Sequence, residues 1–406
     1  MSEWKATTLG DLCREGGGGI QTGPFGSQLH ASDYVLSGVP SVMPQNIGDN
    51  IIREEGIARI QESDAQRLSK YRMRKGDIVY SRRGDVEKRA LVRDANEGWL
   101  CGTGCLRVRL GDSSIHNPAF LSFLLGTEES RDWIVRHAVG ATMPNLNTSI
   151  LSAVPLAVPE PAVQRAIAEV LGALDDKIAV NTRLTASTAE LATTHFSHAY
   201  QNADRIFSLS ELVSTQYGVT TSAHGDPGPK FLRVTDINKK PWVEWDSTPN
   251  CTVSDLELSK YRVSAGDILV ARMADPGKAA FIDPGDPEAV FASYLVRLKP
   301  HNPAQALYLY YFLRSPQYLE YAEGAMSGSV QKNMNAKVIV ASDVGLPESD
   351  LILQFNETVA PLRRLIQSHL DENRKLAATR DALLPQLMSG KLRVKDAEKV
   401  LEDAGV

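Results

Sequence analysis

The sequence predicts an α+β protein in which two copies of a mixed α/β domain are joined by two long antiparallel helices forming a coiled-coil spacer. Three observations carry this. Leu68-Ser-Lys-Tyr-Arg-Met-Arg-Lys-Gly-Asp-Ile-Val-Tyr-Ser-Arg82 returns, ungapped, as Leu258-Ser-Lys-Tyr-Arg-Val-Ser-Ala-Gly-Asp-Ile-Leu-Val-Ala-Arg272. The repeat lies half a chain away, too far for a solenoid or propeller, so a whole domain is duplicated. Each copy is followed by a proline-rich exit and then a long segment with apolar residues at coiled-coil spacing. At 406 residues the chain exceeds one ordinary core.

The expected divisions are residues 1–157 for the first domain, 158–202 for the first helix and 203–345 for the second domain. Residues 346–390 follow as the second helix and 391–406 as a charged, helical tail. Thr8-Leu-Gly-Asp-Leu12 reads as a short helix, after which Gly16 to Gly19 should break regular structure. Ile20-Gln-Thr-Gly-Pro-Phe-Gly-Ser-Gln28 is a loop whose glycines permit close backbone approach. It lacks the Lys-Ser/Thr ending of a phosphate loop.

Residues 39–46 alternate as a strand, and 77–82 form an apolar strand running into a cationic turn. Residues 99–110 read as a strand pair. Asn117-Pro118 is an N-cap with proline in the first helical turn. Residues 161–200 form one helix with Ile167, Leu171, Leu174 and Ile178 on a stripe that continues through Asn181, Leu184 and Leu191. Its partner, residues 351–389, carries Phe355, Val359, Leu362, Ile366, Leu370, Asn373 and Leu376, and Pro361 and Pro385 should break or kink it. Two such stripes bury each other most simply by antiparallel pairing; the alternative is that each packs back on its own domain.

The second domain echoes the first. Gln216-Tyr-Gly218 answers Gln21-Thr-Gly23, Thr235-Asp-Ile237 answers Gln45-Asn-Ile47, and Asn333-Met-Asn335 answers Asn145-Leu-Asn147. Net charge is −5, which argues against indiscriminate coating of nucleic acid. Yet residues 67–93 hold ten basic residues against Asp77, Asp85 and Glu87. Cys13, Cys101, Cys105 and Cys251 make neither a disulfide framework nor a zinc set, so no metal is expected. No apolar run approaches the ~18 residues that cross a bilayer, and Met1-Ser-Glu-Trp-Lys lacks a secretory pattern, so a cytoplasmic protein with no membrane partner is expected.

With the C-terminal Asn373-Arg-Lys-Leu and Arg380-Asp-Ala-Leu-Leu-Pro-Gln-Leu-Met-Ser-Gly-Lys-Leu392, these features resemble the specificity subunit of type I restriction–modification systems. The resemblance implies two target-recognition domains, each reading half of a bipartite double-stranded DNA site, with the helices as a ruler between them. It implies two methyltransferase subunits carrying S-adenosylmethionine for adenine methylation, and two restriction/translocase subunits using ATP and Mg. This chain would bind no cofactor and catalyse nothing. Asn117-Pro-Ala-Phe120 departs from an adenine-methyltransferase motif at Ala119.

Base edges are then expected to meet Gln21, Ser27, Gln28, Asn46, Arg82, Arg83 and Asn145 in the first half. In the second they meet Gln216, Tyr217, Thr220, Asp236, Arg272, Gln331 and Asn333. Arginine suits guanine, and glutamine or asparagine suits adenine. Phosphates are expected at Lys70, Arg72, Lys88, Arg89, Lys260 and Lys278. Lys70-Tyr-Arg72 reads equally as a structural corner with Tyr71 and Tyr261 in the core. An adaptor binding proteins through its coiled coil is the alternative function, and a stand-alone DNA enzyme a third.

Overall fold

The computed structural model describes residues 4–140, 142–326 and 333–404. The chain divides into two compact units, one of residues 1–180 with 372–406 and the other of 181–371. The long helices, Pro161–Gln201 and Ser349–Met388, each contribute one half to each unit.

The first unit holds strands β1 (Lys5–Thr8), β2 (Gly17–Thr22), β3 (Tyr34–Val35), β4 (Val39–Val42), β5 (Ala58–Ile60), β6 (Ile78–Ser81), β7 (Arg89–Leu91), β8 (Leu100–Cys101), β9 (Cys105–Gly111) and β10 (Pro155–Val158). They form two four-stranded sheets, β2-β9-β6-β7 and β3-β5-β4-β8, and the pair β1-β10. The second unit holds β11 (Arg205–Ser208), β12 (Val213–Tyr217), β13 (Ala223–His224), β14 (Lys230–Leu232), β15 (Asn250–Cys251), β16 (Ile268–Ala271), β17 (Ala279–Phe281), β18 (Ala289–Phe291), β19 (Leu295–Pro300) and β20 (Asp343–Leu346). Its sheets run β12-β19-β16-β17, β13-β15-β14-β18 and β11-β20, the same order strand for strand. Even the parallel pair β4-β8 has its counterpart in β14-β18. The repeat read in the sequence is a repeat of topology.

The strands β6 and β16 are buried throughout, and apolar but for Ser81 and the Tyr80 hydroxyl, because both faces of the sheet are covered. Ile78 and Tyr80 enter the main core of the first unit while Val79, facing the other way, joins Val42, Ala90 and Cys105. Ile268 and Val270 separate from Leu269 and Ala271 in the same manner. Period-two alternation thus sorts one run into two cores.

Gly16 to Gly19 do not break the structure. Gly17 to Gly19 open β2, and a Cβ on Gly16 or Gly18 would stand 2.0 Å from the carbonyl oxygen of Leu110 or Arg109. The glycines let β2 close onto β9. Residues 39–46 are strand only to Val42, after which Pro44–Asn46 forms a 3-10 turn. The strand pair expected over 99–110 falls into two different sheets. Asn117 caps its helix as expected, its side chain accepting from Phe120 N at 2.9 Å.

In the first unit Ile167, Leu171 and Leu174 pack with Leu376, Leu383 and Leu387 in the same core as the domain itself. In the second, Ala192, Phe196 and Ala199 do so with Ile352, Phe355 and Val359. Within each unit the helix halves therefore pack on one another and on the domain. Asp175 meets Arg380, and Lys177 meets the earlier Glu372 at 3.4 Å, as an antiparallel pair requires. Leu184 and Leu191 are exposed; the 4-3 spacing continues instead through buried Asn181, Thr185 and Thr188. Helical geometry, not apolarity, carries the stripe there. The second helix runs unbroken through Pro361 and Pro385, with Val359, Arg363, Leu383 and Leu387 buried on either side of them. The tail helix, Val394–Ala404, buries Ala397 and Leu401 in the first core. Among the described residues no helix is long and apolar enough to cross a membrane.

Candidate nucleic-acid interface

The repeated segment closes in a tight turn whose glycine is left-handed in both copies, Gly76 at φ +86° and Gly266 at φ +90°. The aspartate beside it caps the turn. Asp77 accepts from Arg74 N at 2.8 Å and Asp267 from Ser264 N at 2.9 Å. Behind each turn lies a largely buried arginine from the middle of the sheet. Arg107 donates to the carbonyls of Lys70 (2.9 Å) and Arg72 (3.3 Å) and to Gln21 Oε1 (2.7 Å). Arg297 donates to the carbonyl of Arg262 (2.7 Å) and to Gln216 Oε1. Lys-Tyr-Arg is therefore a structural corner pinned through its backbone. Tyr71 is buried there, its hydroxyl donating to Gln28 Oε1 at 2.8 Å, while half-buried Tyr261 packs edge-on to Phe291.

Burial, joined by the nearby Arg109, draws the pKa of Arg107 below its ordinary value, and burial raises that of Asp267. Arg109 completes the first network, clasping Asp77 at 2.7 and 2.5 Å. In the second, Arg297 reaches Asp267 only at 3.5 Å.

The strands β6 and β16 then deliver an arginine just past their ends. Arg82 donates its backbone N–H to Gly104 O (2.8 Å), and its carbonyl accepts from Leu146 N (2.8 Å). Arg272 does the same with Tyr294 O (3.0 Å) and Met334 N (2.8 Å). Arg83 bridges Asn145, and Met273 bridges Asn333. The guanidinium of Arg82 lies 6.0 Å from the ring of Phe25, and that of Arg272 lies 4.9 Å from Tyr217. Among the described residues, both Nε atoms are buried without a hydrogen-bond partner. Arg272 also donates to Asn333 Oδ1 at 3.4 Å. Each domain thus has a rim where an arginine, an aromatic ring and an asparagine meet.

The other expected contacts divide sharply. Arg82, Arg83, Ser27, Asn145, Thr220, Arg272 and Asn333 lie on these rims, at least partly exposed, and Gln331 lies outside the described residues. Asn46 does not fit its expected role: it is buried, and its side chain accepts from Met43 N (3.1 Å) and donates to Arg53 O (3.2 Å). Asp236 holds the equivalent cap, bonding Arg233 N (2.8 Å) and the Arg233 guanidinium. The Gln45-Asn-Ile47 and Thr235-Asp-Ile237 echo is structural. Gln21 gives one lone pair of its carbonyl oxygen to the Arg107 guanidinium, which ties its amide to the sheet. Gln216 is more committed still, since its amide also donates to Lys260 O at 3.3 Å. Gln28 organises the Gly-Pro-Phe-Gly-Ser loop by accepting from Phe25 N (3.3 Å) as well as Tyr71.

The basic segment is largely neutralised from within. Arg67 pairs with Asp64, Arg72 with Glu62, Lys75 with Asp94, Lys88 with Asp85 and Arg93 with Asp176. Arg89 is buried, donating to Ser122 O at 2.5 Å, and is withdrawn from any phosphate. Among the described residues of the segment, Lys70, Arg74, Arg82 and Arg83 keep their charge free of a carboxylate. Lys70 and Lys260 lie over the rings of Tyr71 and Tyr261, at 4.9 and 5.0 Å. Lys278 is half-buried, its turn held by backbone bonds.

Residues 1–187 match the family described as the type I restriction modification DNA specificity domain. Across 97% of this chain and the whole of the relative, it is 20% identical to the type I restriction enzyme HindI specificity subunit of Haemophilus influenzae. The fold is that of a type I restriction–modification S subunit from M. genitalium, with a TM-score of 0.58 at 15% identity, covering 95% of this chain and 96% of that one. The family match thus covers the first 187 residues, while the likeness in fold and the alignment to the relative run over nearly the whole chain.

The cysteines are all buried and unpaired, and burial pushes the thiols of Cys13 and Cys101 up to about 12, away from nucleophilic use. Among the described residues no cluster of histidine, cysteine and carboxylate side chains could hold a metal. Sequence reasoning missed Phe25 as a site residue and Arg107 and Arg297 as organisers. The signal was present: Leu106-Arg-Val108 answers Val296-Arg-Leu298, and Phe25 is an exposed aromatic among glycines.

Proposed function

We propose that this chain is a type I specificity subunit that reads a bipartite double-stranded DNA target, one half with each domain, and directs partner subunits to it. Adenine methylation with S-adenosylmethionine belongs to two methyltransferase subunits, and ATP- and Mg-dependent cleavage to two restriction/translocase subunits. The chain itself supplies the address and no chemistry, and the paired long helices set the number of unread base pairs. The observation that carries this reading is the recurrence, on the same scaffold, of a rim with an arginine at the end of the central strand that lies against an aromatic ring and, among the described residues, pairs with no carboxylate. Exposed Lys70, Lys260, Arg74 and Arg83 supply phosphate-positioning charge around it.

The test is methylome mapping of cells carrying the whole system with Arg82→Ala or Arg272→Ala. Each substitution should relax one half-site only, by about 1–3 kcal/mol of lost discrimination at one base pair. Uniform weakening at all sites, with specificity intact, would reduce both arginines to phosphate contacts.

A further inference from the structure

The arginine at the end of each central strand rests on an aromatic ring, and the two rings do not occupy equivalent positions. The strand registers fix the comparison: Gln21 pairs with Arg107 as Gln216 pairs with Arg297, so Thr22 is the counterpart of Tyr217. Phe25 then corresponds to Thr220. In the first domain the ring comes from a loop beyond the strand; in the second it comes from the strand's last residue. A contact inherited with the duplication would use matching residues. Here the scaffold matches and the ring has been recruited twice, so the requirement lies at the arginine.

A ring beneath a guanidinium fixes its plane and desolvates one face. With Nε buried as well, the paired Nη donors are left as the edge available to a ligand. That edge matches the N7 and O6 acceptors of guanine in the major groove.

The two clamps differ in grip. Tyr217 is closer to its arginine, its hydroxyl accepts from Ala336 N at 2.9 Å, and Asn333 holds the guanidinium from the side. Phe25 stands 55% exposed on a loop tip tethered through its backbone to Gln28.

We propose that Phe25 and Tyr217 are positioning residues that orient Arg82 and Arg272 toward a guanine in each half-site, and that the firmer hold on Arg272 makes the second domain the stricter reader. This rests on the DNA-reading function proposed above.

The experiment uses the subunit in complex with its methyltransferase partner and duplexes bearing the site mapped from wild-type methylation. At each guanine in turn the other three base pairs are substituted. Wild-type complex should prefer guanine by about tenfold or more in the second half, and by less in the first. Phe25→Leu should cut the first ratio severalfold and leave the second alone. Tyr217→Leu should do the reverse, with Tyr217→Phe, which keeps the ring and loses the hydroxyl, in between. The salt dependence of binding should not change, because no charge is removed. Weaker binding with both ratios kept, or a half-site without guanine, overturns the proposal. If Arg82→Ala and Arg272→Ala themselves leave the ratios intact, the DNA-reading assignment fails and not merely the positioning one.

Discussion

The two domains share every strand pairing and differ in how their polar groups are completed. In the first, Asp77 is clasped by Arg109 through two bonds and the corner tyrosine ties down the variable loop. In the second, Lys299 stands where Arg109 stood, the arginine that reaches Asp267 is Arg297 at 3.5 Å, and the loop after the strand end is organised by Thr221 and His224 with Thr252. The backbone-pinning arginine is kept and the side-chain closure is free to drift. Sheet order is the fixed part of this fold, and the rim built on it is the variable part.

The anchoring of the second long helix sharpens the contrast most. In the second unit Arg363 is buried, clasps Asp283 at 2.9 and 2.5 Å, and lies 5.0 and 4.9 Å from the rings of Phe281 and Tyr310. Burial alone would lower its pKa, but the Asp283 bonds and the tyrosines carry it above the ordinary value. In the first unit the task falls to Arg380, which meets Asp175 at 2.9 Å, with Asn50 and Arg93 also reaching that carboxylate. Arg363→Ala strands a largely buried carboxylate and should cost about 3–5 kcal/mol. Arg380→Ala leaves Asp175 two other partners and should cost about 1–3 kcal/mol. Urea unfolding followed by hydrogen exchange in each unit measures both, and equal losses would break the contrast.

A smaller difference is expected at the turns. Asp77→Asn removes the charge that answers Arg109 and should cost about 1–3 kcal/mol. Asp267→Asn should cost less, because burial already disfavours that carboxylate's charged form and its arginine is distant. An Asp267 variant as damaged as the Asp77 variant would show the two networks to be equivalent after all.

What could be read in the sequence follows from where the constraint is local. The duplication, the Asn117 cap and both long helices declare themselves in spacing and residue type, and their observed bounds lie within two residues of those expected. Burial of polar groups is not local. Asn46 and Asp236 look like readers because they are polar and recur, but they recur because each caps the same turn. Arg89 looks like a phosphate ligand until the sheet places it against Ser122 O. Leu184 and Leu191 look like core until the helix presents Thr185 and Thr188 instead. Arg363 lies in no motif, and the segment that Arg380 opens does not tell its role, since the meaning of both depends on Asp283 and Asp175, distant in sequence.

The last difference is one of sign with pH. In the second unit Asp286 is raised to about 6, chiefly by burial and further by neighbouring Asp283. The Asp283 N–H, the Trp245 indole N–H at 2.8 Å and Arg363 offset this only in part. A carboxyl raised in the folded state keeps its proton where the unfolded chain has already lost one. It therefore favours folding at low pH, and that contribution is lost as pH rises from about 4 through about 6. Asp267, also raised by burial, acts in the same direction. In the first unit the displaced carboxylates Asp11, Glu15, Asp112 and Asp396 are all lowered, Asp11, Glu15 and Asp396 first by side-chain hydrogen bonds from Thr8, Lys5 and Arg393, Asp112 by the Ser114 N–H; in the second, among the described residues, only Glu257 is lowered, by the Ser254 N–H. Their contribution is complete above the unfolded value and fades only below it. Acidifying from pH 7 to 5 should thus raise hydrogen-exchange protection in β17 and β18 while leaving β1 and β2 unchanged. Asp286→Asn, which keeps an oxygen for Trp245 but cannot ionise, should flatten that rise. Parallel pH profiles in the two units, or a rise that survives Asp286→Asn, would assign the effect elsewhere.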